Sequence, residues 1–538
     1  MKYLTTYLLS ISWLFSFVFF DSEDWIYLKK VGSIDFIAED DDLVHFITNN
    51  GIYSYDDINE NYYYNFDLSN SINFNNKIYY FYFDSNTNIY WLIDEENIKM
   101  KHSFSSFWSE ISFRKLNIID VNEIIDIGNS FNFIWIKLFD RIIPLNPITG
   151  FIVDNQIDNI EFDNIQWSNK YNENEQRNID LSRYVIFDGW NIGIDKITNS
   201  RGDVLNSTVF FEDQNNNVWF GTREGVILKG STYSHRLEIV DFGLKFYNVT
   251  TAILDDDMNW WFGDSQFLRT GIKRYKQNFS KNNYDFITKW DVIENSWKYF
   301  STDYSMLIQN IDINDLLYIN NVLYIATMDG LLIYDKFDDD WIKIDSELYD
   351  KAVWDIEYYE NSIFLATSNG YNEISSISRN IIKNYNSLSD ELFNTQIYDI
   401  LISDDIMYIA SEKGLFEKNF NINTYQLLSD KQFRNIRKFK DYIFANDRDI
   451  WKINLLTSDI EKIESDVINF SISQNFIWLN HGEYCELLEM DTYRSWKFNL
   501  EEEIPGSIIY KVESKDNKVW FMTNDGVAIY NWDSTDYE

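Results

Sequence analysis

The chain has 538 residues, more than one ordinary domain of about 100–200, and its net charge is −40. That charge excludes phosphate-backbone binding and docking on anionic lipid, both of which need clustered cations. Three Pro and one Cys exclude Pro-rich linkers, a disulfide framework and a CxxC zinc site, while 18% aromatics set the chain apart from disordered acidic sequences.

At the N-terminus, Met1-Lys2 precedes an apolar run from Tyr7 to Phe20, broken only by Ser10, Ser12 and Ser16. The run is too short for the roughly 20 residues that span a bilayer. It predicts a signal peptide over 1–20, hence export to the periplasm or cell surface, and no membrane span in the mature chain. No A-x-A pattern precedes Asp21, so a buried strand or an uncleaved anchor is the alternative.

Beyond it a short pattern recurs: apolar, aromatic, apolar, small, Thr, two polar residues, Gly, apolar. In chain order it appears as Val44 to Ile52 with His45 in the aromatic slot, and as Val218-Trp219-Phe220-Gly221-Thr222-Arg223-Glu224-Gly225-Val226. It returns around Tyr324, Phe364, Tyr408 and Trp520. Looser copies centre on Trp91, Trp135, Trp261, Ile443 and Trp478. Tyr324, Phe364 and Tyr408 stand 40 and 44 residues apart, the size of one four-stranded propeller blade. Each copy predicts a strand, a tight turn and a second strand, with little helix anywhere.

The long gap between Trp135 and Trp219 predicts a degenerate blade between Pro147 and Thr208. The gap after Trp261 predicts an insertion around Arg274 to Tyr284, because Trp290 to Trp297 reads as a third strand turning into a fourth. About 12 blades exceed the 4–8 of a single ring. The predicted fold is therefore all-β, two β-propellers of six or seven four-stranded blades each, over 21–300 and 301–538. The C-terminal copy lacks a fourth strand, and Asp24-Trp25-Ile26-Tyr27 resembles one. An N-terminal strand closing the last ring would hide a free sheet edge and make the other ring an insertion.

The repeat, closest in Asn217 to Val226, resembles the two-component-regulator propeller family. The resemblance covers most of the chain from about Trp25 and implies an exported sensor or surface-assembly propeller. In that family a membrane span and a histidine kinase commonly follow, and this sequence carries neither before Glu538. The repeats are structural, so the resemblance assigns no catalytic residue.

The chemistry-bearing residues are few. His45 fills a core slot; His102 and His235 stand alone; His481-Gly482-Glu483 lacks the P-C-x-x-C of a zinc deaminase. Acidic turns such as Asp255 to Asp257 lack the calcium-loop pattern. The densest basic stretch, with Arg434, Arg437, Lys438 and Lys440 around Ile436 and Phe439, predicts a strand with one solvated face. Arg201-Gly202-Asp203 matches a cell-attachment tripeptide at chance level. No catalytic, cofactor-binding or metal-binding residue is assigned, and no cofactor is expected. The leading expectation is a non-enzymatic binding module for a protein or glycan at a propeller face, with no nucleic-acid partner. The alternatives are a periplasmic sensor input working with a separate signalling protein, and a propeller lyase or glycosidase with groups converging at a channel mouth.

Overall fold

A computed structural model describes residues 24–105, 107–153, 159–168, 181–186, 189–193, 196–199, 203–265, 287–301, 305–308, 311–385, 394–422, 424–500, 502–533 and 537. The signal-peptide segment, the insertion around Arg274 to Tyr284 and two residues of the Arg201-Gly202-Asp203 tripeptide lie outside the described residues. The fold is all-β, built from antiparallel four-stranded sheets in the manner of a propeller. The chain forms two compact units. Of the described residues, one unit comprises those within 28–245 and 290–297; the other comprises Trp25 to Tyr27 and those within 246–289 and from Lys298 onward. The boundary expected near 300 falls inside the second of these. The sheet that begins at Thr251–Leu254 packs with the C-terminal sheets, where Trp520 Nε1 donates to the Ala252 carbonyl at 3.2 Å.

The repeat pattern has a direct physical origin. The aromatic slots are core: Trp219, Tyr324, Phe364 and Tyr408 are at most 2% exposed and Trp520 is 5% exposed. Neighbouring sheets bury them together, as where Tyr324 packs with Ile356 and Leu365, and Tyr408 with Ile436 and Ile443. The Thr-x-x-Gly element is a closed turn. The hydroxyls of Thr48, Thr327, Thr367, Ser411 and Thr523 donate to the carbonyls of Gly51, Gly330, Gly370, Gly414 and Gly526 at 2.7–3.0 Å. The N–H two residues after each hydroxyl donates back to it, as from Asp329 at 3.1 Å. Glycine is required because Gly330 has φ +106°, and a Cβ there would meet the Ile344 carbonyl at 2.5 Å.

Among the described residues seven four-stranded sheets follow one another in the C-terminal unit, apart from residues 290–297 of the first. Their first strands are Thr251–Leu254, Ile313–Ile319, Val353–Tyr359, Ile397–Ser403, Asn435–Phe439, Asn469–Ser473 and Ile509–Lys515. Each packs beside the next. The last sheet returns to the first: Trp520 and Trp260 meet at 5.0 Å, and Val249 N–H donates to the Thr523 carbonyl at 3.0 Å. The ring is therefore closed. Its last sheet runs Trp25–Leu28, Gly526–Asn531, Lys518–Thr523, Ile509–Lys515, so its outer strand comes from the other end of the chain. Trp25 stacks on Tyr530 with ring centroids 4.5 Å apart.

Among the described residues the other unit contains three four-stranded sheets and one of seven strands. Here the region from Pro147 to Thr208 departs from expectation. Among the described residues it makes no four-stranded sheet of its own. Gln166–Trp167 completes the sheet of Ile124–Asn129, and Val185–Ile186 pairs parallel with Arg236–Val240. Lys196–Asn199 joins the long strand Val204–Glu212, which also pairs with Asn217–Thr222 and so links the strands into one sheet.

Candidate functional site

The first strands of the C-terminal ring share a local irregularity. In four of them the pairing register shifts before the third residue, at Asp315, Asp355, Asp399 and Lys511. Such a bulge re-aims a side chain and disrupts the local ladder. Two of the acids accept a backbone N–H from the following sheet: Ile400 N–H donates to Asp355 Oδ2 at 2.8 Å, and Ile436 N–H donates to Asp399 Oδ2 at 2.7 Å. At these two sheets the bulge position thus ties the sheet to its neighbour around the axis.

Together these strands enclose a cavity of about 300 Å³. All seven sheets contribute to it, from Thr250 at the first to Tyr510, Lys511 and Glu513 at the last, so it lies on the ring axis. Its charged lining is five acids, Asp315, Asp355, Glu357, Asp399 and Glu513, against Arg437 and Lys511. Arg437 bridges two of the acids, with Nη1 3.4 Å from Asp399 Oδ2 and Nη2 3.2 Å from Glu513 Oε1. Lys511 Nζ lies 3.0 Å from Glu513 Oε1 and 3.5 Å from Asp315 Oδ1. Burial pushes the Glu513 carboxyl up, but Lys511 and Arg437 outweigh it and hold the group below the usual carboxylate range. Burial opposes the charged forms of Lys511 and Arg437 too, and the surrounding acids still raise both.

Glu357 is the exception. No hydrogen bond or ion pair reaches its carboxyl among the described residues. Burial first, then Asp355 and Asp399, drive its pKa well above the ordinary value against the pull of Arg437. Beside it, Trp354 donates its indole N–H to Ser368 Oγ at 2.8 Å and presents part of the cavity wall.

The histidines lie elsewhere. His45 is fully buried, with Nε2 2.9 Å from Asp40 Oδ2 and Nδ1 2.8 Å from Ser54 Oγ. This Ser–His–Asp chain has the spacing of a hydrolytic triad, but Ser54 is fully buried as well, so no substrate reaches it. The same geometry without histidine explains its purpose. Trp219 Nε1 donates to Asp213 at 2.8 Å, and Trp261 Nε1 donates to Asp255 at 3.0 Å. His45 is the aromatic-slot residue of its sheet, tied to the preceding acidic turn like the tryptophans. His102 accepts the Phe104 N–H at a hairpin, and His235 lies against Tyr184 at 5.7 Å. His481 stacks on Tyr484 at 4.5 Å. No group of three or more His, Cys, Asp or Glu among the described residues could hold a metal ion.

The axial cluster was not among the residues singled out in the sequence. Arg437 belongs to the stretch expected to have a solvated face; instead it lines the cavity, because the ring turns that face of Asn435–Phe439 toward the axis. The available signal was the apolar-x-Asp-apolar opening of three strands, Ile313 to Leu316, Val353 to Ile356 and Ile397 to Ile400, with Lys511 in the acid's place in Ile509 to Val512.

No known family profile matches the chain, and no curated protein does. Among solved structures it is similar to the extracellular domain of the putative hybrid two component system BT4673 from B. thetaiotaomicron. Identity there is 13%, over 93% of this chain and 75% of that one, with a TM-score of 0.45. It is similar to PorZ, a surface component of the type-IX secretion system of Porphyromonas gingivalis, at 10% identity over 93% and 74%, TM-score 0.44. It is also similar to virginiamycin B lyase from Staphylococcus aureus at 11% identity over 55% and 98%, TM-score 0.41. No helix of the described residues is long and apolar enough to cross a membrane.

Proposed function

We propose that this chain is a non-enzymatic, exported propeller protein that binds a protein or glycan partner at the axis of its C-terminal ring. The observation that carries the reading is the axial cavity itself. It is a recess of ligand size, built from all seven sheets and lined by more acids than bases, with one carboxyl left unpaired. The ion pairs around Arg437 hold the wall in place, and Glu357 stands ready for an external group. The apolar N-terminal run supports export.

The test is capture of peptides and glycans by the immobilised whole chain, compared with Leu401→Trp. Leu401 lines the cavity, so the larger side chain fills it. Ligands of the parent should be lost by the variant and recovered chemically unchanged. Retention by Leu401→Trp, or recovery of a cleaved ligand, would contradict the reading.

A further inference from the structure

The imbalance of charge in the axial cavity defines what it accepts. Five acids face two cations, and those cations are already committed, Arg437 to Asp399 and Glu513, Lys511 to Glu513 and Asp315. No hydrogen bond or ion pair reaches the Glu357 carboxyl from the described residues around it, although Arg437 attracts its charged form. A residue lining the same cavity, Thr250, is 6% exposed, and its hydroxyl has no hydrogen-bond partner among the described residues. A buried polar group without a partner is costly, and Glu357, in the cavity wall, is positioned for a ligand that donates hydrogen bonds.

Three observations narrow the ligand. The first is that no three carboxylates converge closely enough for a metal ion among the described residues. The second is volume. About 300 Å³ equals roughly ten waters at about 30 Å³ each, enough for an organic group. The third is that Trp354 and Tyr510 in the wall offer aromatic surface of the kind that attracts organic cations. The net charge of −40 adds a long-range field that steers cationic partners toward the chain.

We propose that the axial cavity receives a basic side chain, Arg or Lys, of a protein partner, with its charged end at Glu357. The proposal rests on the reading of the ring axis as the binding site. The charges facing Glu357 are Asp355 on its own strand and Asp315, Asp399, Arg437, Lys511 and Glu513 on the others. A cation entering this set favours the ionised carboxylate. Glu357 then releases its proton to solvent and gains a charge-assisted pair.

The experiment is titration calorimetry of the whole chain with the peptide acetyl-Gly-Arg-Gly-amide, its Lys counterpart, and the neutral isostere in which citrulline replaces Arg. Glucosamine supplies the cationic-sugar arm. The Arg and Lys peptides should bind and citrulline should not. Affinity should fall as pH is lowered, and Glu357→Gln should bind at least tenfold more weakly, about 1.4 kcal/mol, with the proton release abolished. The pH series uses the parent protein, so it decides even if the variant folds poorly. Equal binding of the citrulline peptide, an unchanged Glu357→Gln affinity, pH-independent binding, or glucosamine binding without peptide binding would each overturn the proposal. If a neutral ligand is captured and lost in Leu401→Trp while the Arg peptide is ignored, the axial-site reading stands and the basic-side-chain proposal alone fails.

Discussion

Arg437 reaches Glu513 across an intervening sheet. Its Nη2 lies 3.2 Å from Glu513 Oε1, although the sheet of Asn469–Ser473 stands between their two strands in the ring order. A contact of this kind exists only if both side chains point to the ring axis, inside the intervening sheet. Arg437→Met leaves Glu513 with Lys511 alone and Asp399 with its backbone donor. Removing one partner of a fully buried pair costs about 3–5 kcal/mol, and the partial solvent access here lowers the expectation to about 2–4 kcal/mol. Chemical denaturation should show that loss, and adding Glu513→Leu should restore much of it. A single-variant loss below about 0.5 kcal/mol, the range of exposed pairs, would mean the bridge is not formed in solution.

Glu357 predicts a pH dependence of defined sign. Its folded-state pKa is raised, first by burial and then by Asp355 and Asp399. Its contribution is therefore fully present below the unfolded value near 4.5 and is lost as pH rises through the folded value. Glu357→Gln removes that loss. The melting temperature of the variant relative to the parent should rise steadily from acid to neutral pH. A difference independent of pH would show that the carboxyl is ionised at no extra cost.

Asp40 works in the opposite direction. Burial raises it, but the bonds from His45 and Tyr90 and the His45 charge prevail and hold it down to about 2. It stabilises the fold above the unfolded value of about 3.8, and that contribution disappears as pH falls toward 2. Replacing the ring by His45→Phe keeps an aromatic in the slot but removes both of its hydrogen bonds. With Asp40 and Ser54 left to rearrange, the expected cost is about 1–3 kcal/mol at neutral pH. Thermal melts should show this cost shrinking at acid pH. A full hydrolase-type effect, with a measurable esterase activity lost in His45→Phe, would contradict the structural role.

How much of this was legible in the sequence follows from where each feature sits. The Thr327 to Gly330 turn and the Tyr324 slot were readable because every sheet solves the same packing and turn problem with the same residues. The degenerate blade expected between Pro147 and Thr208 does not stand as a sheet of its own among the described residues, because Gln166–Trp167 joins the sheet of Ile124–Asn129 and Val185–Ile186 pairs with Arg236–Val240, and local pattern does not reveal a pairing partner. The axial cluster stayed hidden for a different reason. Glu357 is one of 86 acids, and only closure of the ring brings it beside residues from the other strands. A register shift at Asp315, Asp355 and Asp399 leaves no mark in hydrophobic periodicity.

The strand Trp25–Leu28 makes the ring depend on both ends of the described chain. Trp25 is 7% exposed and stacks on Tyr530, while the Tyr27 hydroxyl donates to the Glu503 carbonyl at 3.0 Å. Trp25→Ala should cost about 3–5 kcal/mol, as for other buried tryptophans, and amide exchange should rise first in Gly526–Asn531, which it covers. A cost below about 1 kcal/mol, typical of surface changes, would show the strand to be dispensable.

The central claim is that the ring axis is a cation-accepting site. Crystals of the whole chain soaked with acetyl-Gly-Arg-Gly-amide test it most directly. The account predicts guanidinium density in the axial cavity, within about 2.7–3.2 Å of Glu357, with the Arg437–Glu513 bridge intact. Peptide density on an outer face, with the axial cavity holding solvent alone, would contradict it.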